Sequence, residues 1–350
     1  VADVVVAKIG SMSAPDVARV VYGFGAAGVQ DAAVAKAAAK VLAERASDLG
    51  VREAGQAVWG LARTKNADKA TLDAVVRAVK GKLASAEAGV DVAGLAWGLG
   101  YAGYKADADA ARSLAAALKA AAPQLTPAHA IDAAWALGVL GASDKDAVSA
   151  LFNVAASAIS SAPDSLAPAQ VAALYEAAAL SPEAKLPEQV NAFAAKMHAL
   201  VDEGARAKAS SGLVGFREAV AKASAVAFGA RYRPEVTKAV AAFPAVTPAG
   251  VYIDIAVTLD NGTKIAVEPV CVKDLSASGA LMGAALARAG LVAAQGYKPV
   301  LVPYPEWAAV EGEQAKASYL LAKIKAAVPA AASKANELQR KLDQPFDAYA

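Results

Sequence analysis

The side chains best suited to chemistry are few in this 350-residue chain. It carries two histidines, His129 and His198, and one cysteine, Cys271. Zinc sites draw three or four ligands, mostly from Cys and His. This stock excludes a multi-cysteine site and argues against one built on several histidines. A single cysteine also leaves no internal disulfide. Nucleophilic catalysis needs a base beside the nucleophile, and neither histidine has an obvious partner. Both read as exposed or core histidines, and Cys271 reads as a buried small apolar residue. Gly23, Gly25 and Gly28 spell G-x-G-x-x-G, as do Gly98, Gly100 and Gly103. In a dinucleotide-binding unit that run follows a strand and cradles pyrophosphate. No strand pattern precedes either run here. The spacing returns at Gly138 and Gly141, and a cofactor loop is not copied from repeat to repeat. The glycines read instead as close-contact and helix-capping positions. No catalytic residue, cofactor or metal ligand is expected.

The elements that carry these glycines repeat. Tyr22, Trp59, Trp97, Trp135 and Tyr175 stand 37, 38, 38 and 40 residues apart, each within an Ala-rich stretch of helical spacing. Helix-start signals precede several of them: Ser13-Ala14-Pro15, Thr126-Pro127 and Ala167-Pro168. A hydroxyl caps the first turn, and proline at the first helical position gives up no needed hydrogen bond. A second Ala-rich stretch lies between anchors, over 31–46, 70–84 and 107–121. One period is therefore a helix pair. A pair of about 38 residues cannot bury its faces alone, so the spacing predicts an α-solenoid of stacked pairs. The five aromatics are expected at equivalent, mostly buried core positions.

The repeat fades after Tyr175. Residues 209–212 read as a turn and 213–227 as a helix, with Phe216 as a possible degenerate anchor. Residues 243–250 hold two prolines and a glycine and read as a linker. The pattern then changes. Residues 251–259 are β-branched and alternating, Asp260-Asn261-Gly262-Thr263 suits a hairpin turn, and 264–268 returns as a strand stopped by Pro269. A helix over 276–289, a strand over 297–304 and a helix over 313–327 complete a ββαβα order, that of a small α/β domain. The expected segments are a helical-repeat solenoid over 1–215, a helix and linker over 216–250, the α/β domain over 251–327, and a helix or tail over 328–350. The fold class is mainly α.

The helix-pair period with its Trp59-Gly60-Leu61, Trp97-Gly98-Leu99 and Trp135-Ala136-Leu137 cores resembles the octotricopeptide repeat of green-algal organelle proteins. The C-terminal part is similar to a RAP domain: the hairpin around Asp260–Gly262, the strand 264–268, the run Gly296-Tyr297-Lys298-Pro299 to Tyr304, then Glu306-Trp307 and Tyr319-Leu320. The resemblance covers roughly residues 10–215 and 250–327. It implies a nuclear-encoded organellar protein that usually binds RNA, with a C-terminal domain shaped like restriction-endonuclease-type nucleases. Those nucleases hold Mg²⁺ with an acid on one strand and E-x-K on the next. Asp254 and Glu268 match the two acids, but Val270 stands where the lysine belongs, and Pro269 precedes it. The family's aspartate-glycine signature is also missing from this strand. The site is expected to be a non-catalytic remnant.

Composition separates the function classes. Hydrophobic residues make up 57% and charged residues 19%, which argues against disorder. No apolar run reaches the roughly 20 residues of a membrane span. The repeats, 1–215, hold 20 Lys+Arg against 21 Asp+Glu; the remainder holds 15 (35 − 20) against 12 (33 − 21). An RNA-wrapping solenoid needs a basic face, so this balance disfavours RNA. The groups Arg63, Lys65, Lys69 and Arg77, Lys80, Lys82 read as solvated faces. A start at Val1 reads as a cleaved organellar targeting peptide or a trimmed terminus. The expectation is a structural subunit, bound to other protein subunits of a large mitochondrial assembly. The ATP-synthase peripheral stalk of green algae, with its associated proteins, is the preferred host. The alternative is an organellar RNA-binding protein or mitoribosome subunit, with the chloroplast as the alternative compartment. An enzyme ranks third.

Overall fold

The structure, a computed structural model, describes residues 2–86, 88–228, 245–258 and 262–327. The expected turn residues Asp260 and Asn261, the linker start at Phe243 and Pro244, and the tail 328–350 lie outside the described residues. The chain is mainly helical, with a small sheet region towards its C-terminal end. Packing divides it into two compact units. One comprises Val1–His198 with Asp274–Arg288, the other Ala199–Lys273 with Ala289–Ala350.

The first unit contains α1 (Ala2–Ile9), α2 (Ala14–Ala26), α3 (Ala32–Glu44), α4 (Val51–Arg63), α5 (Lys69–Val79), α6 (Gly89–Ala102), α7 (Ala108–Ala121), α8 (Pro127–Leu140), α9 (Lys145–Ser161) and α10 (Pro168–Leu180). The helices alternate between two layers. Even-numbered helices pack in series from α2 to α10; in the odd layer α1 packs on α3, α3 on α5 and α7 on α9, with the 3-10 segment Lys80–Ser85 between α5 and α7. Start signals differ by layer. Ser13 and Thr126 cap α2 and α8, each hydroxyl accepting from the backbone N–H three residues on. Asp31, Asp68, Asp107 and Asp144 cap α3, α5, α7 and α9. Even helices end in a left-handed residue six positions after the aromatic: Gly28, Lys65, Gly103 and Gly141. In each, the next N–H reaches back to a carbonyl of the last turn, closing a Schellman motif.

Neighbouring even helices approach to backbone contact. A Cβ on Gly60 would lie 2.5 Å from the Val21 carbonyl carbon, and one on Gly55 3.1 Å from Leu95 N. Both G-x-G-x-x-G runs lie within these helices and their C-terminal caps. The glycines there set helix spacing and helix ends.

α11 (Glu188–Ala207) and α12 (Ser211–Phe228) follow. A two-residue pair, β1 (Ala245–Val246) and β2 (Tyr252–Ile253), precedes a three-stranded sheet of β3 (Ile255–Thr258), β4 (Lys264–Val270) and β5 (Lys298–Pro303). β3 and β4 are antiparallel; β4 and β5 are parallel, joined through α13 (Gly283–Ala294). α14 (Tyr304–Ala308) and α15 (Glu313–Ala327) complete the described chain. The core of the second unit joins Phe216 and Val220 of α12, Ile255, Val257, Ile265 and Val267 of the hairpin, Val300 and Val302, Trp307, and Leu320 and Ile324 of α15.

Four local readings change. The first strand divides at Asp254. The second runs through Pro269 to Val270, because the β3 pairing ends at Val267 and the missing proline N–H is not needed there. The helix expected over 276–289 starts only at Gly283; before it, a turn is closed by Ser276 N to Ala280 O at 2.8 Å. Gly279, at φ 82°, supplies that turn. Phe216 belongs to the core of the second unit, 5.1 Å from the Tyr304 ring, and is not an array anchor.

Candidate functional site

Three groups of side chains stand out. The first is the aromatic row. Tyr22, Trp59, Trp97, Trp135 and Tyr175 occupy corresponding places on α2, α4, α6, α8 and α10, and their burial is graded. Tyr22 is 42% exposed, Trp59 and Trp97 are half-buried, and Trp135 and Tyr175 fall to 5% and 8%. Tyr22 thus departs from the expected burial. Rings touch along the row: Tyr22 and Trp59 at 4.9 Å, Trp97 and Trp135 at 5.1 Å. The burial of Trp135 has a long-range packing cause. Segment 274–288 folds back over the C-terminal ends of α4 and α6. Ala277 N donates to Lys65 O at 2.8 Å. Gly283 sits so close to Gly100 O and the Trp135 ring that a Cβ there has no space. Trp135 Nε1 also donates to Glu176 Oε2 at 2.8 Å, and Glu176 Oε1 lies 3.6 Å from Nε2 of buried His198. His198 therefore has a partner that the sequence reading missed. The signal was Glu176 beside the last anchor. His129 Nδ1 meets the Thr126 hydroxyl at 3.0 Å in a helix cap. Cys271 is half-buried and outside any disulfide.

The second group is the cations of the first unit, several of which reach a neighbouring helix or the turn beside it. Arg45 donates to the Met12 and Gly10 carbonyls at 2.7 and 3.0 Å. Thirty-seven positions on, Lys82 does the same for Leu49 and Ser47 at 2.6 and 2.9 Å. Arg52 meets Asp91 at 3.1 Å and Lys119 meets Asp146 at 2.8 Å. Lys80 pairs with Asp109. Hydrogen bonding to those lysines holds Asp109 and Asp146 below the usual carboxylate range. Within the α5 turn, Lys69 bonds Asp73 at 2.7 Å and lowers its pKa despite partial burial. The buried Tyr104 hydroxyl also donates to Asp73, at 2.9 Å; desolvation, then that carboxylate, raises the phenol's pKa. Arg63 donates to the Tyr101 hydroxyl at 3.1 Å, its guanidinium under 6 Å from the Trp59 and Tyr101 rings. Sequence reading took Arg63, Lys65, Lys69, Arg77, Lys80 and Lys82 for solvated faces; Arg63 and Lys69 are exposed, while Lys80 and Lys82 are half-buried and engage other helices and turns. The recurrence of Asp31, Asp68, Asp107 and Asp144, and of Arg45 and Lys82, was the available signal.

The third group holds Asp254 and Glu268. Extending the Ile255–Val267 register by one sets them opposite each other, both 3% exposed. Asp254 N donates to Glu268 Oε1 at 3.3 Å. Asp254 Oδ1 lies 2.7 Å from Arg206 Nη1 and 3.4 Å from Arg217 Nε. Arg206 Nε is 3.4 Å from Asp202 Oδ1, and its guanidinium covers the Tyr252 ring at 4.9 Å. The Nε–H groups of both arginines are within ion-pair reach without hydrogen-bond geometry. Guanidinium groups thus hold the Asp254 carboxylate, where a metal ion would need its oxygens. The chain matches no protein family model and no curated protein. Among the described residues, no cluster of three or more His, Cys, Asp or Glu side chains could hold a metal ion. None of their helices is long and apolar enough to cross a membrane.

Proposed function

We propose that this protein is a non-catalytic structural subunit of a large mitochondrial assembly. The host we favour is the ATP-synthase peripheral stalk of green algae. In this reading the paired helices form an octotricopeptide-type α-solenoid, and the sheet with its helices is a RAP-like domain in which arginines hold Asp254, the first of the two nuclease-type acids. The observation that carries it is the use of the array's cations. Arg45, Lys82, Lys80, Lys119 and Arg52 tie one repeat to the next. Cations committed to carbonyls and carboxylates are not free to neutralise phosphates. Ties at successive joints, with helix backbones in contact, give a stiff spacer suited to holding other subunits apart.

A second reading, an organellar RNA-binding protein, draws on the half-open rings of Tyr22, Trp59 and Trp97 beside Arg63, since aromatics and arginine can stack bases. The two readings separate on one experiment. The chain is isolated with its native assembly, treated with ribonuclease at moderate salt, and followed by sedimentation. Apolar protein interfaces are little screened, so it should stay with its partners. Release by the nuclease would restore the RNA reading.

A further inference from the structure

Between α5 and α7 lies a cleft of about 430 Å³. Four cations line it: Lys69 and Arg77 on α5, Lys80 just after that helix, and Lys105 in the link before α7. Two of them are engaged. Lys69 lies 2.7 Å from Asp73, whose carboxylate also accepts from the Tyr104 hydroxyl at 2.9 Å. Lys80 pairs with Asp109. Asp107, the remaining carboxylate of the lining, caps α7, its Oδ1 accepting from Asp109 N and Ala110 N at 3.0 and 2.8 Å. Among the described residues, Arg77 and Lys105 have neither a hydrogen bond nor an ion pair. Arg77 is close enough for its charge to act on both Asp73 and Tyr104, so its guanidinium belongs to this cleft.

The next cleft along the odd layer shows which of these residues the packing needs. It lies between α7 and α9, has a volume of about 550 Å³, and is lined at the same places counted from the capping residues Asp68, Asp107 and Asp144. There Lys119 stands in the place of Lys80 and pairs with Asp146, as Lys80 does with Asp109. That tie is common to both clefts. The places of Lys69, Arg77, Tyr104 and Lys105 are taken by Ala108, Ala116, Gly141 and Ala142. An equivalent cleft thus closes with small residues where this one gathers cations. Like charges sharing a cleft repel one another, and neither Arg77 nor Lys105 has a carboxylate of its own to offset that. Packing does not require these two cations; an anion in the cleft would.

We infer that the cleft between α5 and α7 binds a small molecule carrying a diphosphate group. Its size falls within the roughly 300–1,000 Å³ of small-molecule sites. Arg77 supplies a planar fork that matches two phosphate oxygens, and Lys105 supplies a compact point charge. The two cations stand on different elements, α5 and the link before α7, so two linked phosphates reach both where a single one reaches one. Asp73 is held by Lys69 and Tyr104, and Asp107 by the first turn of α7. Both acids therefore stay with their protein partners when the anion enters, and the Lys80–Asp109 tie stays in place. The assignment goes beyond the structural-subunit reading and does not rest on it.

Isothermal titration calorimetry of the full chain tests this, at neutral pH and physiological salt with inorganic pyrophosphate as the probe. One saturable site is expected. Orthophosphate and citrate should bind about tenfold more weakly, the effect of one lost charge-assisted contact. Arg77→Gln combined with Lys105→Gln should weaken pyrophosphate about tenfold or more. Circular dichroism and Tm should stay unchanged in that variant, because both side chains are exposed. Lys36→Gln combined with Lys145→Gln removes the same charge from exposed places on α3 and α9, and should leave the affinity unaltered. Free pyrophosphate and the diphosphate of a nucleotide share this chemistry. ADP binding more tightly than pyrophosphate assigns the nucleotide, and more weakly the free anion. Four outcomes overturn the proposal: no saturable pyrophosphate site, equal binding of orthophosphate or citrate, affinity indifferent to the Arg77 and Lys105 substitutions, or an equal loss in the Lys36 and Lys145 variant.

Discussion

Lys65 shows how one residue can depart from a rule that its neighbours obey. Position six after the aromatic is left-handed in four even helices; it is glycine in three and Lys65, at φ 63°, in α4. A side chain there costs about 1 kcal/mol. Lys65→Gly should therefore raise stability by about that amount in a denaturant titration, with the Lys65 carbonyl still accepting from Ala277 N. Asp132, on α8 beside the Trp135 ring position, carries a different strain. Burial raises its pKa above the usual carboxylate value, and His129 offsets this only in part. A folded-state pKa above the unfolded one means that ionised Asp132 opposes folding at neutral pH. That cost disappears as pH falls below the unfolded value of about 3.9. Asp132→Asn should thus raise the melting temperature at pH 7 and leave it nearly unchanged at pH 3. An equal gain at both would place the cause in packing.

At the scale of elements, glycine permits the close approach of the even helices, and the odd layer joins buried apolar faces with cations that cross its turns. The second unit adds a buried example. At the break in the first strand, the buried Asp254 carboxylate is held by Arg206 and Arg217. Removing one member of a buried pair leaves an uncompensated charge, so Arg206→Ala should cost about 3–5 kcal/mol. Arg206→Lys should recover only part of that, since a lysine cannot reproduce the forked contact. Mg²⁺ should leave the melting temperature of the unaltered chain unchanged. A clear upward shift would show that the Asp254 oxygens can leave their arginines for a metal.

Charge balance acts at the scale of the whole molecule. Net charge is +2 over 350 residues, and several lysines and arginines of residues 1–215 meet carboxylates. Each phosphate neutralised by a protein cation steepens the salt dependence of nucleic-acid binding. Gel shifts on organellar transcripts at physiological salt should therefore show binding no tighter than the non-specific range of roughly 10⁻⁴–10⁻⁶ M, with a shallow salt slope. Nanomolar, sequence-dependent binding would overturn the structural-subunit reading.

Local sequence was enough for the helices of the array. Alanine-rich 3.6-residue periodicity, capping residues at Ser13 and Thr126 and the recurring aromatic are short-range signals, and backbone hydrogen bonds inside a helix satisfy themselves. The hairpin strands were legible for a similar reason, in their alternation around a turn. Three features needed the tertiary structure. The burial of Trp135 depends on segment 274–288, which lies far along the chain from the helices it covers. The pairing of the Asp254 carboxylate depends on Arg206 and Arg217, which precede it by 48 and 37 positions. The roles of Arg45 and Lys82 depend on carbonyls 33 to 35 residues back. A single sequence shows that Arg45 and Lys82 stand 37 positions apart but not which groups they meet, because partners across such separations are chosen by packing.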